Sequence, residues 1–433
     1  MNETKTIVRN DPKVINGWAF FDWANSAYAL VITVAIFPGY FMSVTDDHFD
    51  LLGINMTDSA LYAFAVSAAY LLIAVASPFL SGIADYGGRK KWFLRLFTTA
   101  GSLACISMYF FTGMSTLPLG TVAFILATIG FAGGLVFYNA YLPLIATEDQ
   151  YDRVSAKGFS YGYIGSIMLL ITNLVIITYY EQLGFREQSM AVRLAFVMVG
   201  LWWIGFAQIP FRRLPADRPD PPGANLIKKG FEELKKVWRT LQGLTNTKRF
   251  LLSFFFYNAG VQTVLFLAST FAEKELHFAT SDLIILILIL QLVAILGAQV
   301  FARVSDWKGN KVSIMIMLVI WMLICGLAYV IQGKLNFYIL AGAVGMVMGG
   351  IQSMSRSTYS KLLPENTPDT TSYFSFYDVL DKVSTMIGTF GFGIVQLMGS
   401  MRQAIGALSI FFLIGLFILS TVKIAHKKNV QGT

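Results

Sequence analysis

The chain contains one eleven-residue pattern twice, as SGIADYGGRKK at residues 81–91 and as ARVSDWKGNKV at residues 302–312. Both copies place a small residue first, an acid fifth, an aromatic residue sixth, a glycine eighth and a cation tenth. The matched positions are Ser81 and Ala302, Asp85 and Asp306, Tyr86 and Trp307, Gly88 and Gly309, and Lys90 and Lys311. Internal sequence symmetry of this kind predicts a chain built from two similar halves.

The composition places both halves in a membrane. Of the 433 residues, 55% are hydrophobic and only 13% are charged, and the mean hydropathy is +0.61. A soluble domain carries about 25% charged residues, so an ordinary soluble enzyme, a disordered chain and a disulfide scaffold are excluded. The net charge of +8 does not indicate a nucleic-acid partner, because the cations form short clusters between apolar blocks.

Uncharged stretches surround both copies of the pattern, and each is long enough to cross a bilayer, which takes about 20 residues. The block at residues 96–147 contains a turn signal at residues 117–120 and is interpreted as two helices. The pattern therefore predicts an all-α polytopic membrane protein with twelve transmembrane helices. The other predicted spans are residues 23–45, 59–84, 158–180, 194–211, 250–272, 283–302, 312–333, 335–355, 383–401 and 403–422.

The distribution of Lys and Arg predicts the orientation of these helices. Most of the 33 cations fall in the N-terminal segment, the tail and alternate loops, which places both termini in the cytoplasm of a cell-membrane protein. The predicted domains are a six-helix bundle at 1–211, a linker at 212–249 and a second six-helix bundle at 250–433. The linker contains a basic amphipathic helix typical of the inner leaflet surface, and we interpret it as a tether in preference to a regulatory site.

The first copy of the pattern resembles the loop signature of the major facilitator superfamily, G-x-x-x-D-R/K-x-G-R-R/K. Asp85, Gly88, Arg89 and Lys90 match it, whereas Ser81 and Tyr86 replace two of its positions. Longer matches occur in FDWANSAYA (helix 1), FYNAYLP (helix 4) and GGIQSMSRSTYSKLLP with YFSFYDVLDKVSTMIG (helices 10 and 11). Together these segments resemble the vacuolar amino-acid effluxer-like family. The resemblance implies the major facilitator fold of two pseudo-symmetric bundles and secondary transport by alternating access.

The resemblance also implies a substrate cavity among helices 1, 4, 7 and 10. Amides and phenols on these helices suit a small polar solute, and for an amino acid Arg356 could bind the carboxylate and Asp22 the amine. Interhelical hydrogen bonds are the alternative. Asp22, which begins predicted helix 1, could instead cap that helix, and Arg356 could extend to lipid phosphate. The candidate residues are Asp22, Asn25, Tyr28, Tyr138, Asn139, Tyr141, Tyr257, Asn258, Gln262, Gln352 and Arg356.

Ionisable residues in predicted helix 11 are candidates for proton coupling, because such groups are costly inside a membrane. Asp378 and Lys382 have the spacing of an intrahelical ion pair, which leaves Asp381 without an obvious local partner and suited to carry a proton. The alternative is a conformational latch with Asp85 and Arg89, and a protonatable latch would combine both roles. The full set of coupling or gating candidates is Asp378, Asp381, Lys382, Asp85, Gly88, Arg89, Lys90 and Asp306.

This sequence departs from the family in helix 7. Members of the family often have an acid where this chain has Ala259, so a coupling role of that acid in the family does not carry over to this chain. The sequence lacks a nucleotide-binding spacing, and its three histidines lie in loops or the tail, so we expect neither an enzyme nor a metal or other cofactor. We expect a monomeric, proton-coupled carrier of small polar solutes, with neutral amino acids as the favoured class. A lipid or amphiphile translocase on the same fold is the alternative.

Overall fold

The computed structural model describes residues 8–51, 54–217, 226–278, 280–398 and 400–424, and within them the chain is almost entirely helical. The helices are α1 (Pro12–Ala27), α2 (Phe37–Val44), α3 (Asp58–Gly87), α4 (Lys90–Ser107), α5 (Leu117–Asn139), α6 (Leu142–Ile145), α7 (Tyr151–Thr178), α8 (Gln188–Arg213), α9 (Leu226–Gly243), α10 (Thr245–Leu276), α11 (Thr280–Lys308), α12 (Asn310–Val330), α13 (Lys334–Lys361), α14 (Thr370–Met398), α15 (Met401–Ala407) and α16 (Ser409–Ser420). Residues 218–225, at the start of the predicted linker, lie outside the described residues.

Short elements interrupt or connect the long helices. A π-helical stretch, Tyr28–Ile36, joins α1 to α2 without a break in the chain direction, and 3-10 turns occupy Met108–Phe110, Met114–Thr116 and Glu148–Gln150. Strands β1 (His48–Leu51) and β2 (Ile54–Thr57) pair antiparallel, with His48 opposite Thr57. The sequence analysis did not predict this hairpin or the π-helix.

Ten helical segments in the described part of the chain are long and apolar enough to cross a membrane. Two further long helices, α10 and α14, are not among these segments. Helix α14 contains Asp378, Asp381 and Lys382, and such charged residues lower the mean hydropathy of a span. The membrane-protein class is therefore supported by the helices themselves, and the count of twelve spans stays a prediction.

Two predicted boundaries were wrong. Helix 1 begins at Pro12, eleven residues before the predicted span at 23–45. Charged and polar residues can be helical outside the membrane, so the uncharged stretch does not mark the start of the helix. The break in residues 96–147 falls between Phe110 and Met114, and Leu117 instead begins α5 with Pro118 in its first turn, where proline is well tolerated. The last predicted span, 403–422, agrees with the candidate span Met401–Ser420, within which α15 and α16 meet at Leu408.

The chain divides into two compact units. One, called the N-terminal unit, comprises Pro12–Asn139 and Tyr161–Phe231, and the other, called the C-terminal unit, comprises Ala140–Ser160 and the described residues from Glu232 on, with the short segment before Pro12. Helix pairs α4 with α5 and α1 with α8 pack in the first, and α11 with α13 and α10 with α14 pack in the second. The domain boundaries at 1–211, 212–249 and 250–433 stay predictions.

The repeated pattern forms a similar turn in each unit. We call residues 81–91 the first repeat loop and residues 302–312 the second. The glycine at the eighth position has a positive φ in both, +65° at Gly88 and +86° at Gly309, a conformation that side chains other than glycine rarely adopt. Both turns also place a lysine at the end of another helix. Lys91 donates to the carbonyl of Leu214 after α8 (2.8 Å), and Lys311 donates to that of Val422 after α16 (2.9 Å).

Candidate functional site

A charge cluster joins α10 and α14 in the C-terminal unit, and two of its three charged side chains are buried, while Asp381 is 29% exposed. The predicted ion pair between Lys382 and Asp378 forms, and the side chains are 8% and 7% exposed. Asp381 has more partners than the sequence predicted. Its Oδ1 accepts from Asn258 Nδ2 at 2.9 Å and from Gln262 Nε2 at 3.3 Å, and its Oδ2 lies 3.4 Å from Lys382 Nζ. The expectation that Asp381 lacks a local partner was wrong, because the adjacent Lys382 lies within ion-pair distance, and α10 supplies two further partners.

The cluster has an unequal number of charges. Two carboxylates face one ammonium group, so one negative charge is in excess when both acids are ionised. An uncompensated charge is costly in the low dielectric of a membrane protein. One proton on either carboxylate would make the cluster neutral. The arrangement can therefore hold and release a single proton while Lys382 keeps an acidic partner.

Arg356 lies on α13 and is bound by the first turns of α7. Its Nε donates to Ser155 Oγ at 2.9 Å and its Nη2 donates to the Ser155 carbonyl at 2.8 Å. The guanidinium carbon lies 4.2 Å from the centre of the Phe159 ring, a cation–π distance. Arg356 is only 3% exposed, so the alternative in which it extends to lipid phosphate was wrong.

Other predicted residues of this unit lie on the same helices. The hydroxyls of Tyr257 and Ser355 are 2.7 Å apart, which links α10 to α13. Gln352 is half-buried one turn before Arg356, and Tyr141 is buried just before α6.

A second polar network in the C-terminal unit was missed by the sequence analysis. Asp152, in the first turn of α7, is 2% exposed and accepts from Ser305 Oγ (2.8 Å), Asn310 Nδ2 (2.7 Å) and Lys361 Nζ (2.7 Å). Next to it, Arg153 pairs with Asp306 at 2.9 Å. The sequence signal for this network was the adjacent charges of Asp152 and Arg153, just before the predicted span at 158–180. Arg153 is opposite in charge to Asp306 of the second repeat loop.

In the N-terminal unit, Asp22 and Tyr138 form the centre of a polar and aromatic cluster. The Tyr138 hydroxyl donates to Asp22 Oδ2 at 2.8 Å, and its ring stacks with Trp18 (centroids 4.4 Å apart) and Phe21 (4.7 Å). Asp22 is 4% exposed and lies about 15 Å along α1 from Pro12. The alternative in which Asp22 caps the start of helix 1 was therefore wrong, because the helix begins earlier.

One turn after Asp22, Asn25 is fully buried. Neither atom of its amide has a hydrogen-bond partner among the described residues, an unusual state for a buried polar group. Further along, the Tyr28 hydroxyl lies 2.9 Å from that of Thr128. Asn139 ends α5 and is half-buried. Of these predicted residues, Asn25 has the clearest unused capacity to bind a polar ligand.

The first repeat loop holds the predicted gating residues of the N-terminal unit. Asp85 pairs with Lys90 at 2.9 Å, and the Asp85 side chain is fully buried. The backbone N–H of Arg89 donates to the Ala84 carbonyl at 2.9 Å, which closes the turn through Gly88. A latch between this loop and Asp378 or Asp381 stays a prediction.

Residues 10–432 match the sequence model of the family described as "Vacuole effluxer Atg22 like". The chain belongs to this family of major facilitator superfamily transporters. It is 31% identical to an uncharacterized MFS-type transporter, YxiO, of Bacillus subtilis, with 94% of each chain covered. It is also 24% identical to autophagy-related protein 22-1 of Phaeosphaeria nodorum, over 90% of this chain and 86% of the relative. The resemblance stated from the sequence is confirmed.

Solved structures confirm the predicted fold class. The major facilitator transporter FucP in its outward conformation superposes with a TM-score of 0.71 at 14% identity, with 96% of this chain and 99% of that chain covered. The proton:xylose symporter XylE superposes with a TM-score of 0.67 at 12% identity, with 95% of each chain covered. At such low identity the likeness concerns the fold alone, and it makes this chain a multi-pass membrane protein with the major facilitator fold.

Proposed function

We propose that this protein is a secondary active transporter that moves a small polar organic solute by alternating access and couples the movement to protons. The observation that carries the proposal is the cluster of buried Asp378 and Lys382 with partly exposed Asp381, three residues that include one acid more than cations. A group that gains and loses one proton inside the membrane is what coupling to a pH gradient requires.

Neutral amino acids are the proposed solute class. The polar groups that remain uncharged, such as those of Asn25, Asn258 and Gln262, can bind a small polar molecule without the desolvation penalty of many charges. Asp22 would bind the amine and Arg356 the carboxylate. Ser155 occupies two donors of Arg356 in this conformation, so Arg356 would bind solute only after it separates from Ser155.

The proposal includes a location and an oligomeric state. We place the protein in the cell membrane with both termini in the cytoplasm, on the basis of the Lys and Arg distribution. The proposed transport unit is a monomer whose partners are the solute, protons and surrounding lipid. The hydrogen-bonded networks of Arg356 and Asp152 would stabilise one state of the transport cycle, and Asp306 would contribute through Arg153.

The direct test is uptake of a panel of neutral amino acids into proteoliposomes with and without a pH gradient. We expect Asp381→Asn and Asp378→Asn to abolish accumulation driven by the gradient while solute exchange at equal pH persists, because only the proton site is lost. Asp282→Asn is the matched control, since Asp282 pairs with Lys334 at the start of α13, remote in sequence from the cluster, and its accumulation should match that of the wild type.

Two outcomes would contradict the proposal. Accumulation that persists in both cluster variants would remove these acids as proton carriers. If no solute moves and labelled phospholipid instead passes between the leaflets, the alternative, a lipid or amphiphile translocase on the same fold, is correct.

A further inference from the structure

Helix α9 exposes three large apolar side chains along one face. They are Ile227, Phe231 and Trp238, with exposed fractions of 64%, 58% and 48%. Since successive residues of an α-helix are about 100° apart, these three side chains fall within a sector of about 40°. Exposed apolar residues are unremarkable when scattered, but a contiguous stripe indicates a surface that contacts something apolar.

The sector on one side of this stripe is buried against the rest of the protein. Val237 and Leu241 are 1% and 4% exposed. Gly230 is also buried, and a Cβ atom at this position would lie 2.6 Å from the side chain of Ile83 on α3. The three buried residues lie about 40–80° from the stripe. The orientation of α9 about its own axis is therefore determined by packing.

The sector on the other side of the stripe is cationic. Lys228, Lys235 and Arg239 are exposed and lie about 80–120° from Ile227 on the helix. The acids of α9 lie further round, and one of them, Glu233, pairs with Lys236 at 2.6 Å. The three cations form a positive edge between the stripe and Glu232, which lies about 20° beyond Arg239, and this edge is about 17 Å long from Lys228 to Arg239.

Helix α9 lies at the end of a candidate membrane span, because Gly230 packs against Ile83 in the last two turns of the segment Leu61–Gly87. Leu244 alone separates α9 from α10, which is 32 residues long. Trp238 also packs on Phe376 near the start of α14, with ring centroids 5.3 Å apart. Aromatic and apolar side chains beside cations are typical of helices that lie in the lipid headgroup region.

We propose that α9 is a binding surface for anionic phospholipid. The apolar stripe contacts the upper part of the acyl chains, and Lys228, Lys235 and Arg239 contact the phosphate groups. An acidic protein segment would satisfy the cations but would leave the apolar stripe without an apolar partner, so the lipid fits the surface better. This surface is separate from the residues proposed to bind solute and protons.

The test is quenching of Trp238 fluorescence by brominated lipid in vesicles that contain the full-length protein and no solute. The Trp238 component is obtained as the difference between the wild type and Trp238→Phe. Brominated phosphatidylglycerol and brominated phosphatidylcholine are compared at equal, low mole fraction. We expect phosphatidylglycerol to be enriched at Trp238 by about fivefold for each cation that contacts a headgroup.

Variants identify the groups responsible for the preference. Lys235→Gln with Arg239→Gln should remove most of it, whereas Lys229→Gln, which removes a charge from the far side of α9, should keep it. Equal quenching by the two lipids, as an acidic protein partner would give, would overturn the proposal, and so would the absence of quenching by either. A preference that survives in the Lys235 and Arg239 variant would also overturn it. The measurement is made without transport, so its outcome is independent of the proposed function.

Discussion

The two repeat loops share a backbone turn but differ in how their acids are neutralised. In both, a glycine with positive φ separates two helices. Asp85 pairs with Lys90 of its own loop and is fully buried. Asp306 pairs with Arg153 from α7, and the two side chains are 22% and 55% exposed.

The helix dipole explains why both acids need a cation. Asp85 and Asp306 lie in the last turns of α3 and α11, where the negative end of the helix disfavours a carboxylate. Any nearby cation relieves this repulsion. The cation can come from the same loop, as Lys90 does, or from another helix, as Arg153 does. The turn therefore repeats, because only glycine adopts it readily, while the partner of the acid has changed between the halves.

The largest effect should come from the buried network beside the second repeat loop. Asp152→Ala removes the acceptor shared by Ser305, Asn310 and Lys361 and leaves a largely buried ammonium, which should lower the free energy of unfolding by about 3–5 kcal/mol. Asp306→Asn breaks only an exposed pair and should cost about 0–1 kcal/mol. Thermal unfolding in detergent checks both, and equal losses would refute the distinction between the two acids.

A medium effect should distinguish the two glycines. Gly309 has φ +86° and ψ +156°, a region available almost only to glycine, so Gly309→Asn should cost about 1–3 kcal/mol. Gly88 has φ +65°, a value that asparagine tolerates more readily than +86°, so Gly88→Asn should cost less. The same unfolding assay measures both variants. If Gly309→Asn is tolerated as well as Gly88→Asn, the turns differ less than their dihedral angles indicate.

The smallest effect concerns pH and only the first repeat loop. Asp217 accepts from the backbone N–H groups of Lys91 (2.7 Å) and Trp92 (2.8 Å), yet burial raises its pKa above the ordinary value of 3.8. Its contribution to stability is therefore complete below that value and is lost as the pH rises through the higher pKa of the folded state. One pKa unit corresponds to about 1.4 kcal/mol, which sets the scale of the change.

The variant Asp217→Asn isolates this effect. As the pH is raised from below 3.8 towards neutrality, the melting temperature of the wild type should fall relative to that of Asp217→Asn. A difference that is constant over this range, or that shifts in favour of the wild type, would contradict the assigned direction of the pKa.

Local patterns in the sequence predicted much of this fold. The spacing of Asp378 and Lys382 predicted their ion pair, and the uncharged stretches predicted most of the long helices. The hairpin at residues 48–57 was missed although its residues alternate in polarity. The π-helix has no simple sequence signal, because it depends on how the surrounding helices pack.

The partners of the site residues were harder to predict because they are distant in sequence. Asp381 is bound by Asn258 and Gln262, more than a hundred residues earlier, and Arg356 is bound by Ser155. Uncharged stretches indicate where helices cross a membrane but not which faces meet. Helix contacts of this kind require the tertiary structure.

The most direct test of alternating access is a reversible cross-link between the Arg153 and Asp306 positions. The predicted boundaries at 1–211 and 250–433 assign Arg153 and Asp306 to different bundles, so alternating access by these two bundles requires the two residues to separate during each cycle. The experiment uses Arg153→Cys with Asp306→Cys in a background without Cys105 and Cys325, joined by a short reducible reagent. The control is Lys334→Cys with Asp282→Cys, a pair within the second half.

We predict that the first cross-link stops solute flux until it is reduced and that the control cross-link leaves flux unchanged. Undiminished flux through the protein cross-linked between residues 153 and 306 would contradict alternating access.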